Sequence, residues 1–141
     1  MVIAWGSDET QTQAITIKDR NGYFYQDGQA VFRWATTQIA PVGIEAVKAA
    51  GLELTDIDAL VTHQANLRII DAIAKRLVAA GARPDVKVGR DIVTTGNTSS
   101  ASIPITLGRM RESGELRSGD LVLSIAFGAG LTYAGQVYRI P

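Results

Sequence analysis

Three short segments of the chain carry groups able to do chemistry: Thr62-His63-Gln64-Ala65-Asn66, Thr95-Gly96-Asn97-Thr98 and Phe127-Gly128-Ala129-Gly130. A neutral His donates a hydrogen bond through Nε2–H, and an Asn donates through its amide. Side by side, the two can point at one oxygen that gains negative charge, so His63 and Asn97 form a candidate pair for stabilising an enolate or a tetrahedral oxyanion. A helix starting just after Asn97 would add the positive end of its dipole to the same region. The turn Gly128-Ala129-Gly130 could present backbone N–H groups as a second oxyanion hole. Each segment also has a plainer reading. A lone His after a strand is commonly structural, an Asn after Gly is commonly a turn residue, and Gly-Ala-Gly between two strands is commonly a hairpin turn.

The elements around these segments decide whether they can meet. Apolar residues Val31, Ala35, Ile39, Val42, Ala46 and Ala50 recur at helical spacing, predicting a helix over residues 30–50 that ends at Gly51. Pro41 and Gly43 lie inside it, so a kink or two abutting helices are expected. Ala59-Leu60-Val61-Thr62 reads as a buried strand ending at His63. Residues 65–80 read as a helix with Ile69, Ile73 and Leu77 on one stripe, stopped at Gly81. Asp91-Ile92-Val93-Thr94 reads as a second strand leading to Asn97, and residues 99–112 as a helix with Pro104 in its first turn. Residues 120–127 and 131–140 read as two strands joined by the Gly-rich turn. The first 30 residues are polar and turn-rich, with one short edge strand at Ile15-Thr16-Ile17 and a turn at Asp19-Arg20-Asn21-Gly22.

This alternation predicts an α/β fold: a mixed, mainly parallel sheet with crossover helices and a C-terminal antiparallel hairpin. In such a sheet the strand C-terminal ends share one edge, where ligands bind. His63 and Asn97 are separated by about one strand-helix-strand unit, so they should be neighbours at that edge together with the Gly-rich turn.

Composition narrows the field. At 141 residues the chain has the size of one domain, with residues 1–28 as an N-terminal segment and 29–141 as the folded body. Apolar residues are 46% and charged residues 20%, as in a globular domain. The 14 basic and 14 acidic side chains balance, which argues against a general nucleic-acid binder. No apolar run approaches bilayer length and the N-terminus does not resemble a signal peptide, so no membrane partner and a cytoplasmic location are expected. Without cysteines the chain has no disulfide, thiolate or thiol nucleophile, and with one His a metal site is not expected.

The same segments resemble the 3-oxoacyl-[acyl-carrier-protein] synthase III family. The stretch from Val61 to Ile70, built around His63-Gln64-Ala65-Asn66, looks like that family's His motif. Gly96-Asn97-Thr98-Ser99-Ser100-Ala101-Ser102-Ile103-Pro104 looks like its Asn motif. Ala126-Phe127-Gly128-Ala129-Gly130-Leu131-Thr132-Tyr133 is similar to its Gly-rich turn, with Ala129 where many members have Gly. Gly28-Gln29-Ala30-Val31-Phe32-Arg33 resembles the opening of the first helix of the family's second half.

The resemblance implies a thiolase-like fold of two similar halves, of which this chain is the second. It implies a decarboxylative condensation of an acyl group, taken from acyl-CoA onto a Cys of the first half, with malonyl-acyl-carrier protein. In that scheme His63 and Asn97 hold the malonyl thioester oxygen, and the N–H of Ala129 helps bind the oxyanion of the acyl steps. Asn66 matches a position near the pantetheine arm, Gly28 matches a coenzyme-binding segment, and Phe32 is a further expected substrate-binding residue. Coenzyme A and phosphopantetheine enter as substrates, and no cofactor is implied. Arg68, Lys75 and Arg76 return to one helix face, with Arg33 on the preceding helix. By composition these are a solvated basic surface, and by resemblance a dock for acidic acyl-carrier protein. The resemblance further implies a homodimer in the complete enzyme. The Gly6-Ser7-Asp8 stretch matches the region just past the junction of the halves, as in a piece cut there or the product of a split gene. A non-catalytic module binding carrier protein or coenzyme A, and a related polyketide or quinolone condensing enzyme, are the alternatives.

Overall fold

A computed structural model of the protein describes residues 2–19 and 21–141. Its main sheet contains β1 (Val2–Ser7), β4 (Ala59–Thr62), β5 (Lys87–Val88), β6 (Leu121–Gly128) and β7 (Thr132–Arg139), in the order β1-β7-β6-β4-β5. β4 pairs in parallel with both β5 and β6, whereas β7 is antiparallel to β6 and to β1. β7 therefore runs alone against the other strands, which is the mixed, mainly parallel sheet with a C-terminal hairpin that the alternation predicts. Two short strands, β2 (Ile15–Ile17) and β3 (Phe24–Gln26), form a separate antiparallel ribbon.

The helices are α1 (Gly28–Ala49), α2 (Leu67–Ala79), the short α3 (Ile92–Thr95) and α4 (Ser102–Glu112). Side chains alternate across a strand, and β4 and β6 use both faces. Leu60, Leu123 and Ile125 enter a large core with Val31, Ile39, Val47, Ile73 and Leu77 of α1 and α2. Ala59, Val61 and Val122 turn the other way, into a smaller core with Met110 of α4 and Leu116. Being covered on both faces is why β4 is a continuous apolar run, buried at every position.

The close fit of α1 to the sheet depends on two glycines. A Cβ at Gly43 would lie 2.7 Å from Ile125 Cδ1, and one at Gly135 would meet the Ala46 Cβ at 3.1 Å. Both α1 and α2 end in the same way. Gly51 and Gly81 take positive φ, while Leu52 N donates to Val47 O and Ala82 N to Leu77 O, a Schellman closure in each case.

Three sequence expectations change. A six-residue strand, β1, occupies the supposedly irregular N-terminus; its partner β7 lies at the far end of the chain, and such pairing leaves little local trace. Of the two expectations at Pro41, a kink or two abutting helices, the second is ruled out, because α1 is one continuous helix through it. Pro41 removes one backbone donor, and just before it the Thr36 and Thr37 hydroxyls donate to the Phe32 and Arg33 carbonyls. The expected strand at Asp91–Thr94 falls on α3, and the second parallel strand is instead Lys87–Val88. Asn97 accordingly follows a helical turn and not a strand end. The turn at Asp19–Gly22 includes Arg20, which lies outside the described residues; around it, Gly22 N donates to Asp19 O and Asn21 N to Asp19 Oδ1.

Candidate active site

β4 delivers His63 to the sheet edge, and the His63 N–H donates to the Ile125 carbonyl of the neighbouring strand at 2.8 Å. The next residue, Gln64, is fully buried and acts as a brace. Its Nε2 donates to Thr62 O at 2.8 Å and to Gly89 O at 3.2 Å, and its Oε1 accepts from Ile92 N at 3.1 Å. One carboxamide thus ties the end of β4, the residue after β5 and the start of α3.

The β-branched run Ile92-Val93-Thr94-Thr95 favours a strand intrinsically, yet it is held helical. Thr95 N donates to Asp91 O, and the Asp91 carboxylate takes the Thr95 hydroxyl at 2.7 Å and the Arg109 guanidinium of α4 at 3.1 Å. Tertiary partners override propensity here. Gly96 leaves α3 at φ 72°, a backbone region that favours Gly, and turns the chain into Asn97. Asn97 Oδ1 accepts the Ser99 N–H at 2.9 Å, so the amide NH₂ is the end available to a ligand.

The imidazole of His63 sits between two elements. Its Nδ1 lies 2.7 Å from Ser102 Oγ at the start of α4, and its ring meets Phe127 edge-on with centroids 5.2 Å apart. Burial lowers its pKa from the ordinary value of 6.5, favouring the neutral ring. The folded chain thus binds this proton more weakly than the unfolded chain does. The contribution of neutral His63 to stability is complete above 6.5 and is lost as the pH falls through the lowered folded value. The thermal midpoint, followed by circular dichroism, is expected to drop between pH 7 and pH 5, and His63→Gln should flatten that part of the curve.

A cleft of about 940 Å³ gathers these pieces. His63, Asn97, Phe127, Gly128 and Ala129 line it, together with Ser99, Ser100 and Ser102. Gly130 belongs to the same turn but not to the cleft wall. Trp5 and Phe24, 80% and 65% exposed, stand at the cleft as large uncovered apolar groups. Sequence reasoning missed Ser102 and Gln64 as partners of the pair, although both stand inside the motifs that carry the resemblance.

The remaining expected residues lie elsewhere. Asn66 is the N-cap of α2, its Oδ1 accepting from Arg68 N at 2.9 Å, and Gly28 opens α1. Phe32 is half-buried, with the Arg68 guanidinium 5.4 Å from its ring centroid. Arg33, Arg68, Lys75 and Arg76 are exposed, and none of them forms an ion pair among the described residues.

Comparison with known proteins adds the lineage. A family model described as the C terminal of 3-oxoacyl-[acyl-carrier-protein (ACP)] synthase III matches residues 47–140. The beta-ketoacyl-[acyl-carrier-protein] synthase III 4 of Streptomyces coelicolor is 44% identical over 139 residues, which are 99% of this chain and 43% of that protein. A mycobacterial beta-ketoacyl-[acyl-carrier-protein] synthase III from Mycobacterium avium is also 44% identical, over 97% of this chain and 43% of its own length. Among solved structures, the priming beta-ketosynthase of the R1128 polyketide pathway superposes with a TM-score of 0.89 at 41% identity, covering 98% of this chain and 44% of that one. The synthase III of Thermus thermophilus gives 0.86 at 36% identity, covering 99% and 46%. The chain thus spans less than half the length of the relatives it matches, and it has their thiolase-like fold.

Proposed function

Because the chain belongs to the 3-oxoacyl-[acyl-carrier-protein] synthase III family, we propose that it is the second half of such a condensing enzyme and holds the groups that promote decarboxylation. The observation that carries this reading is the meeting of His63 and Asn97 in one cleft, with the Asn97 oxygen already engaged by Ser99 N. Two donors then remain for one acceptor, His63 Nε2–H and Asn97 Nδ2–H. The malonyl thioester oxygen is that acceptor: it becomes enolate-like as carbon dioxide leaves, and preorganised donors favour that state over the starting thioester. The enolate carbon then attacks the acyl thioester carried on a Cys, whose oxyanion the backbone N–H of Ala129 stabilises.

That Cys belongs to a companion half, since this chain has none. The uncovered Trp5 and Phe24 support a companion packed against the cleft. The acyl donor is acyl-CoA, with Asn66, Gly28 and Phe32 beside the pantetheine arm. The unpaired Arg33, Arg68, Lys75 and Arg76 are the dock for acidic acyl-carrier protein. The complete enzyme is a cytoplasmic homodimer of fatty-acid initiation; no helix among the described residues is long and apolar enough to cross a membrane.

The test is reassembly with the Cys-bearing half of the Streptomyces coelicolor relative. Condensation of acyl-CoA with malonyl-acyl-carrier protein is expected from the pair and not from this chain alone. The acyl label, followed by intact mass, should sit on the companion. A covalent acyl group on this chain, or carrier-protein binding by a reassembled pair that never condenses, would favour the binding-module alternative.

A further inference from the structure

The proposed role of His63 requires its ring proton on one particular nitrogen. A neutral imidazole exists as two tautomers, and only the one with its proton on Nε2 donates into the cleft if Nδ1 faces the protein. The atom facing Nδ1 is the hydroxyl of Ser102, at 2.7 Å. Ser102 is 1% exposed, so bulk water does not compete for this contact. The same oxygen accepts the Gln64 N–H at 3.2 Å, and a backbone amide is always the donor in such a bond. That bond uses one of the hydroxyl's two acceptor positions and leaves its proton free, and the acceptor within reach of that proton is Nδ1. Ser102 is itself fixed in place. It is the first residue of α4, and its carbonyl accepts the Thr106 hydroxyl at 2.7 Å.

We propose that Ser102 is the positioning residue that sets the tautomer of His63: its O–H donates to Nδ1 and thereby holds the proton on Nε2, towards the cleft. The arrangement also links the two motifs. Gln64 N, next to His63, anchors the Ser102 oxygen, and Ser102 lies five residues after Asn97 on the segment that presents the amide. Loss of the hydroxyl removes the only side-chain partner recorded for Nδ1 among the described residues. The ring would then be left with only its intrinsic tautomer preference and the local field.

The catalytic meaning of this assignment rests on the oxyanion reading of His63, but its test does not. His63 is the single histidine of the chain, so a ¹⁵N-histidine-labelled sample of the full chain gives one imidazole to read. At a pH above the imidazole titration, long-range ¹H–¹⁵N correlation is expected to show Nε2 protonated and Nδ1 as a hydrogen-bonded acceptor. In Ser102→Ala the Nδ1 resonance should move to that of an unbonded ring nitrogen, and the Nε2–H population should fall towards that of a solvent-exposed histidine side chain. Ser102→Thr, which keeps the hydroxyl, should restore both. Nδ1 carrying the proton in the unmodified chain would overturn the proposal without any variant. So would a Ser102→Ala spectrum with intact amide dispersion and an unchanged imidazole. A reassembled enzyme that fails to decarboxylate would overturn the functional reading while leaving the tautomer result intact, so the two failures are distinguishable.

Discussion

In the reassembled enzyme, His63→Ala is expected to lower release of carbon dioxide from malonyl-acyl-carrier protein by about 10²–10³-fold, and Asn97→Ala by a similar factor. The magnitude follows from what is removed. On the proposed reading each side chain supplies one preorganised donor, and a single donor of this kind is worth about 2.7–4 kcal/mol in the transition state. Neither change leaves a large hole in the core, since His63 is only half-buried and Asn97 is exposed. Acyl transfer from acyl-CoA to the companion's thiol should change by less than about ten-fold, a difference of 1.4 kcal/mol, because on that reading its oxyanion falls to the turn around Ala129. Carbon dioxide release and covalent acylation are measured separately, the first by trapping and the second by intact mass. An equal loss of both steps would mean that the pair serves the acyl oxyanion as well.

The second large effect concerns the scaffold. Ile125→Ala is expected to destabilise the chain by about 2–5 kcal/mol, a substantial part of the roughly 5–15 kcal/mol that holds a domain folded. Ile125 is fully buried on β6, the central strand of the sheet, and its Cδ1 fills the space above Gly43 of α1. The glycine has no side chain to collapse into the vacated volume, and Leu123 and Leu77 already occupy the flanks, so a cavity should persist. The same residue offers its carbonyl to the His63 N–H, so the site is tied directly to this buried part of the sheet. Urea denaturation should show a lower midpoint with an unchanged slope. A loss below about 1 kcal/mol would mean that α1 settles onto the sheet and fills the gap.

The elements flanking His63 were legible in the sequence because they obey simple periods. β4 is a short apolar run, α2 has one apolar stripe between an Asn cap and a Gly stop, and β6 and β7 flank a Gly-rich turn. What escaped depended on distant partners. β1 exists because β7 offers an edge, a fact stored at the other end of the chain. Residues 92–95 have the β-branched composition of a strand, but Asp91, Gln64 and Arg109 fix them as a turn of helix. Asn97 therefore joins His63 in the cleft from a turn of helix and not from a strand end. The brace at Gln64 and the hydroxyl at Ser102 were invisible for a related reason: both look like ordinary polar residues until burial and distance show what they touch.

The central claim is that His63 and Asn97 act on one oxygen, and a double-mutant cycle on carbon dioxide release tests it most directly. The reassembled enzyme is assayed with each single replacement and with His63→Ala and Asn97→Ala together. Groups that share one network couple by about 0.5–3 kcal/mol, whereas independent sites add to within about 0.3–0.5 kcal/mol. The shared-oxygen account predicts a double variant clearly faster than the product of the two single losses implies. Losses that multiply within error would contradict it and assign the two side chains to separate tasks.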